Sequence, residues 1–306
     1  MLLTDIWVCI TNMINSKFDV EKLDKLKLYF GEPYSIPTPT GKEIVVYQPT
    51  IGDIVTRGEK DIYSVVNVFV ANSTMYRLQL WEMGIDWNDV SDYEIFSMLV
   101  PTLPPEKTSL MFGDIDFTKF QRCKKELPDS DPVITLWNEE QEIEIDEATH
   151  THLCEYMRFL FNNYPKVEKA KGKATKEALI WEDKQKKDSG GDSILLPMIS
   201  SCLNHPGFKY KKNELRDVGI VEFMDSIQRL QIYESTTALM SGAYSGFCDT
   251  SKVPKEQFNF MREIKYGRDH INPNAGKKNL DIPELSGKSV DVKINDKVKE
   301  KLNKVK

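Results

Sequence analysis

YQPTIGDIVTRGEKDIYSVVNVFV, residues 47–70, passes from extended to helical patterning within four residues. Tyr47 closes KEIVVY (Lys42–Tyr47), whose β-branched run predicts a strand. Pro49 ends that strand, because proline has no N–H to give to a ladder. Thr50 and Asp53 then stand at capping-box spacing, with the shorter acid in place of glutamate. Ile51, Ile54 and Val55 open an apolar stripe that continues through Ile62, Val65, Val66 and Phe69. The recurrence fits a helical period despite its β-branched content. A strand leading into a capped amphipathic helix predicts an α+β chain.

Upstream, Val20, Leu23, Leu26, Leu28 and Phe30 share one expected stripe. GEPYSIPTPTGK (Gly31–Lys42) holds three prolines and two glycines and is expected as a loop. Downstream, a helix is expected over Thr74–Met83, with Gly84 as its C-cap. Ser91 and Glu94 form a full capping box before Ile95, Phe96, Met98 and Leu99, and Pro101, Pro104 and Pro105 stop that helix. Leu110–Phe120 is expected as a strand with a turn. Val133–Asp146 is expected as a β-hairpin around Asn138–Glu140. Its second arm alternates Ile143 and Ile145 with Glu142, Glu144 and Asp146, which predicts one buried and one solvated face. A helix follows from Glu147, striped by Leu153, Tyr156, Met157, Leu160 and Phe161.

Residues 166–191 contain eight lysines and five acids and end in Gly190-Gly191. They are expected as an exposed helix or flexible connector, and as the main domain boundary. Beyond it the pattern is helical, over Ser193–Leu203, Asn213–Tyr233, Ser235–Ser241 and Lys255–Ile264. After Tyr266 the chain is rich in Asn, Gly, Pro and Lys. The reading is thus an α+β domain over 1–165 with helices and a small antiparallel sheet, a charged connector over 166–191, a helical domain over 192–264, and a basic, largely disordered tail over 265–306.

The chain has 306 residues and a net charge of −6, from 41 Lys+Arg against 47 Asp+Glu. That length suggests about two domains. Residues 265–306 hold 11 Lys+Arg and 6 Asp+Glu, a net of +5; the remaining 30 against 41 leave residues 1–264 at −11. An acidic body disfavours nucleic acid as the main ligand, since phosphate backbones require clustered Lys and Arg. The cysteines, Cys9, Cys123, Cys154, Cys202 and Cys248, are odd in number, widely spaced and without C-x-x-C. They predict reduced thiols in a cytosol. The N-terminus has no basic region before its apolar stretch and does not read as a signal peptide. The most apolar internal run, Val65–Ala71, contains Asn67 and is too short to span a bilayer.

The candidate reactive groups each fail a geometric requirement. His150 and His152 are two residues apart on an expected helix and point about 200° apart, so they do not chelate one metal there. The acids Glu139, Glu140, Glu142, Glu144, Asp146 and Glu147 lack the glycine-bearing loop and alternate spacing of a calcium hand. Gly242-Ala243-Tyr244-Ser245-Gly246 places Tyr244 where a hydrolase elbow places serine, and follows a helix rather than a strand. It is expected as a tight turn between helices. Asp114 and Asp116 read as turn acids. No catalytic residue, metal ligand or cofactor site is assigned. The triplet Leu179-Ile180-Trp181, apolar amid charges, reads as a short partner-binding segment that becomes buried only against its partner.

The words YQPTIGDIVTRGEKDIYSVVNVFV and LWEMGIDWNDVSDYEIF (Leu80–Phe96), with LLPMIS (Leu195–Ser200), VEFMDSIQRLQ (Val221–Gln231) and LMSGAYSGFCDT (Leu239–Thr250), resemble a pattern in structural-gene products of phages of Gram-positive bacteria. The resemblance covers about residues 44–262 of this sequence. It implies a tail assembly chaperone-like, non-enzymatic morphogenesis protein that binds tape measure or other tail proteins in the host cytoplasm. It is also compatible with a structural subunit of the mature tail, neck or baseplate, located in the virion. A host-directed effector and an unrecognised enzyme are compatible with the same composition. The pattern leaves oligomeric state open. The basic tail and Leu179, Ile180 and Trp181 are the expected contacts.

Overall fold

The computed structural model describes residues 23–127, 130–186, 193–245 and 253–264. The word at residues 47–53 lies where the chain's two halves meet. Tyr47 N–H donates to the Met111 carbonyl at 2.8 Å, and Ile51 N–H to the Val218 carbonyl at 2.9 Å. Ile220 N–H donates back to the Pro49 carbonyl at 3.1 Å, so Thr50 and Gly219 form an antiparallel bridge. Helix α2 (Ile51–Arg57) starts here, after a first short helix, α1 (Lys25–Tyr29). The expected box is complete: Asp53 N–H donates to Thr50 Oγ1 at 3.0 Å, and Thr50 N–H to the Asp53 carboxylate at 2.9 Å. Gly52 has a tertiary reason. A Cβ there would lie 2.7 Å from the Arg216 carbonyl oxygen, so only glycine admits this approach.

The expected single stripe is divided. Gly58, at φ 99°, ends α2 and begins α3 (Glu59–Phe69). A residue with a side chain resists that conformation, and the glycine redirects the axis. Ile51, Ile54, Ile62, Val65, Val66 and Phe69 are buried as expected, but the redirected α2 leaves Val55 exposed. Around α1, Leu23 and Leu28 are buried while Leu26 and Phe30 face outward. That corrects the expected stripe, whose Val20 lies outside the described residues.

The Pro-rich stretch is not simply a loop. Strands β1 (Tyr34–Pro37) and β2 (Glu43–Val46) pair antiparallel, with Tyr34 opposite Val46 and Ile36 opposite Ile44. Ile36, Ile44 and Val46 are fully enclosed, and their burial outweighs the poor strand propensity of proline. Gly41, at φ 79°, turns the hairpin.

After α4 (Arg77–Glu82) and α5 (Asp92–Leu99) comes a further correction. Leu110, Met111 and Phe112 belong to α6 (Pro105–Phe112), not to a strand. Pro105 at the first helical position starts that helix and Gly113, at φ 59°, ends it. The Ser91–Glu94 box is present as predicted on α5. A three-stranded antiparallel sheet follows, ordered β3 (Gln121–Leu127), β4 (Ser130–Asn138), β5 (Ile143–Ile145). The β4–β5 hairpin matches the sequence reading; β3, with the polar sequence QRCKKEL, does not appear in it. All three β5 residues are buried, including Glu144, which accepts from Lys125 Nζ at 2.8 Å. The expected solvated face of this arm is therefore corrected at Glu144, where a cross-sheet lysine offsets the desolvation.

Helix α7 (Glu147–Phe161) buries its whole predicted stripe. Helix α8 (Lys173–Lys186) occupies the expected connector. Then come α9 (Leu195–Asn204) and α10 (Ile220–Ser245). Helix α10 is continuous, so the predicted break near Ser235 and the turn at Gly242–Ser245 are corrected: Gly242 and Ser245 are helical. Gly246 lies outside the described residues. Within the expected helix at Lys255–Ile264 only one 3₁₀ turn forms, Lys255–Phe258.

One apolar core includes Ile36, Phe69 and Leu160 together with Leu195, Leu215, Ile220 and Phe223. Residues on both sides of 166–191 thus share a core, and that stretch does not separate two cores as expected. Glu59, at the start of α3, caps α9. Its carboxylate accepts from Ile194 N–H at 2.6 Å, Leu195 N–H at 3.0 Å and the Ser193 hydroxyl. By backbone contacts the chain divides into two units, residues 1–268 and 269–306. The basic tail expected over 265–306 lies outside the described residues. The α+β architecture, mainly helical with small antiparallel sheets, stands as predicted.

Candidate partner-binding surface

Residues 163–171 form a strap that stitches α8 to the body. Asn72 Nδ2 donates to the Lys166 carbonyl at 3.1 Å, and Glu168 N–H to Thr74 Oγ1 at 3.0 Å. Trp87 Nε1–H donates to the Glu168 carbonyl at 3.1 Å, and Asn88 Nδ2 to the Ala170 carbonyl at 2.8 Å. These side chains follow α3 or flank α4, so the turn residues near 72–74 and 87–88 serve a segment about 90 positions away.

The helix itself is held by Arg77, whose side chain is 5% exposed. Its guanidinium donates to both oxygens of Asp183 on α8, the Nη2 bond measuring 2.6 Å, and Nη1 donates to Glu168 on the strap at 2.6 Å. The bidentate bond to Asp183 pushes the Arg77 pKa upward against the opposing effect of burial, and the bond to Glu168 adds to it. Hydrogen bonds from Lys166 and Arg77 hold Glu168 below the usual carboxylate range. Lys176 on α8 bonds Asp86 and lies 5.6 Å from the centre of the Trp87 ring. That lysine, together with Asn88 N–H, lowers the Asp86 pKa.

Inside this frame is a second, smaller core of Ala71, Leu78, Leu80, Trp87, Ile95, Ala170 and Ile180. The predicted triplet is therefore divided. Ile180 is 4% exposed and completes this core. Leu179 packs half-buried against it. Trp181 alone faces solvent, at 66% exposure. The expectation that the whole triplet becomes buried only with a partner is corrected at Ile180, since the chain covers it. Burial of such a side chain contributes about 1.5–3 kcal/mol, enough to keep α8 docked. The exposed Trp181 is thus carried on a pinned helix, not on a flexible connector.

The outward line of α8 is unusual. At about 100° per residue, Ala174, Ala178, Trp181 and Gln185 fall within a narrow arc on the side away from Ile180. All four are exposed and none is charged. The lysines and acids of the segment occupy the flanks. Sequence reading identified Trp181 but missed Arg77, whose role depends on partners 91 and 106 positions away.

The other candidates separate clearly. His150, on α7, is buried against α5, with its ring centre 4.4 Å from that of Phe96 and 5.6 Å from that of Tyr93. Among the described residues its Nε2 has no hydrogen-bond partner. Burial, then the nearby Arg158 charge, lowers its pKa to about 3. It borders a hollow of about 320 Å³ also lined by Asp92, Cys154 and Arg158. Arg158 is engaged there by Glu155 at 2.6 Å and Asp92 at 3.7 Å. Asp116 accepts from Thr118 N–H at 3.0 Å and caps a 3₁₀ turn. Ser245 Oγ donates to the Gly242 carbonyl. Glu140 pairs with Lys119 at 3.2 Å, Glu142 with Lys42 at 3.6 Å, and Asp146 caps α7. Among the described residues no group of three or more His, Cys, Asp and Glu side chains is placed to hold a metal ion. Among the same residues no helix is long and apolar enough to cross a membrane. Comparison with protein-family models, curated proteins and solved structures finds no match to the chain.

Proposed function

We propose that this chain is a non-enzymatic phage morphogenesis protein, tail assembly chaperone-like, that binds tape measure or other tail proteins in the host cytoplasm. The resemblance of its short sequence words supplies the biological setting. The observation that carries the binding role is Trp181, two-thirds exposed on a helix fixed by the Arg77 ion pairs and by Ile180. A large aromatic held rigidly in water loses little conformational entropy on docking, and residues of this kind dominate binding energy at interfaces. The uncharged outward line of α8 suits a helical partner, because a helix lying along it meets no unpaired charge.

Co-expression with a phage tape measure protein tests the reading. A complex should co-elute and the tape measure protein should become more soluble. Trp181→Ala should lower recovery of the complex at least about tenfold, a change typical of a central aromatic anchor. No complex and unchanged solubility would sink the proposal. Detection of the chain in purified virions by mass spectrometry would replace the chaperone role with a structural one.

A further inference from the structure

We infer that the outward face of α8 is self-complementary, and that without a tail protein it pairs antiparallel with the same face of a second copy. This rests on the reading of α8 as the binding surface and names a competing occupant for it. The argument is one of symmetry. Glu177 and Lys184 lie on one flank of the line, carry opposite charge, and stand equally far on either side of the midpoint between Ile180 and Trp181. A two-fold axis at that midpoint sets Glu177 of each copy beside Lys184 of the other. Both ion pairs form at once, as an isologous interface requires. A parallel two-fold pair would instead set the two Glu177 side chains at one level on opposite sides of the seam and form neither Glu177–Lys184 pair.

The same axis passes beside Trp181, so the two indole rings meet across it and each covers the other. Offset contact between aromatic rings adds to the apolar area they bury. Ala178, one turn away on the same line, has no side chain beyond its Cβ and leaves the rings room to settle. Within its own helix Glu177 is only loosely paired, with Lys173 at 3.9 Å, and it remains 56% exposed, available to a second partner. One helix face is a small contact, so the dimer is weak and reversible. A tail protein that covers Trp181 displaces the second copy, and self-association then shields the tryptophan until the partner is made.

Sedimentation velocity of the full chain from about 1 to 200 µM, the range expected for so small an interface, tests this. A concentration-dependent monomer–dimer equilibrium is expected. Trp181→Ala should weaken it at least tenfold. Glu177→Lys and Lys184→Glu should each weaken it, and the double reversal should restore it to within about threefold of the parent, because both cross-pairs re-form. All these positions are exposed, and far-UV circular dichroism verifies that the variants remain folded. A chain that stays monomeric throughout overturns the inference, as does a dimer indifferent to Trp181→Ala, or a double reversal no better than the single ones. A monomer that still captures tape measure protein through Trp181 would remove the self-pairing and leave the proposed function intact.

Discussion

Replacing His150 by phenylalanine should make the chain less sensitive to acid. His150 is 3% exposed, packed against Phe96 and Tyr93, and its Nε2 has no partner among the described residues. Burial and the positive charge of Arg158 bring its pKa from 6.5 to about 3 in the folded chain. The facing groups include the carboxylates of Asp92, Glu147 and Glu155, which line the same hollow and pull the other way; the depressed value means that burial and Arg158 win. The unfolded chain therefore takes up a proton below pH 6.5 that the folded chain refuses. The stability contributed by neutral His150 is complete above 6.5 and is lost progressively as the pH falls toward 3. At about pH 5 the separation between the unfolded titration and ambient pH is about 1.5 units, which costs about 2 kcal/mol. His150→Phe removes this dependence and also removes an unsatisfied buried nitrogen, so at about pH 7.5 the variant should match or exceed the parent. Urea unfolding followed by circular dichroism, for both chains at several pH values, measures the difference. The gap should move by about 2 kcal/mol in the variant's favour between about pH 7.5 and pH 5. Other carboxylates titrate in both chains and largely cancel in the gap. A gap constant with pH would refute the reasoning and mean that the imidazole is hydrated or partnered in solution.

Asp183→Asn keeps the shape of the side chain but leaves the buried Arg77 guanidinium balanced by Glu168 without the charge of Asp183. A loss of about 2 kcal/mol is expected, below the ~3–5 of a wholly buried pair because Asp183 is partly exposed, and hydrogen exchange should accelerate selectively along α8. Gly52→Ala should lower stability by about 1–3 kcal/mol through the clash with the Arg216 carbonyl, against a gain of at most about 1 from helix propensity; thermal unfolding reads the sign. Glu59→Gln should cost about 1 kcal/mol by weakening the cap on α9. Burial raises the Glu59 pKa, but hydrogen bonds from Ser193, Leu195 and Ile194 together outweigh it and hold it below 4.5. The parent's advantage over this variant should therefore be present above pH 4.5 and disappear as the pH falls through the lowered value.

Local signals were legible where the chemistry was local. The Thr50–Asp53 and Ser91–Glu94 boxes, the α7 stripe and the β4–β5 hairpin all join residues only a few positions apart. The errors occur where distant contacts override local preference. Tyr34–Pro37 became a strand because β2 and the core enclose Ile36, although three prolines argued for a loop. QRCKKEL pairs with β4 through its backbone, which its side-chain pattern does not announce. Leu110–Phe112 looked the same as strand or helix by apolar content alone, and Pro105 at the helix start was the available signal.

For the candidate site, sequence alone determined that an apolar triplet stands in a lysine-rich segment, which could be an exposed helix or a flexible connector. Only the tertiary structure decided between those two, and which of the three residues remains open to a partner. Leu179, Ile180 and Trp181 are adjacent, and a helix turns each by about 100° from the last. Which direction faces inward is set by the Arg77 clamp and by the core around Trp87, both built from residues about 80–110 positions upstream. Such separations leave no periodicity in the sequence to read, because the contact energy depends on where the folded chain brings the two segments together.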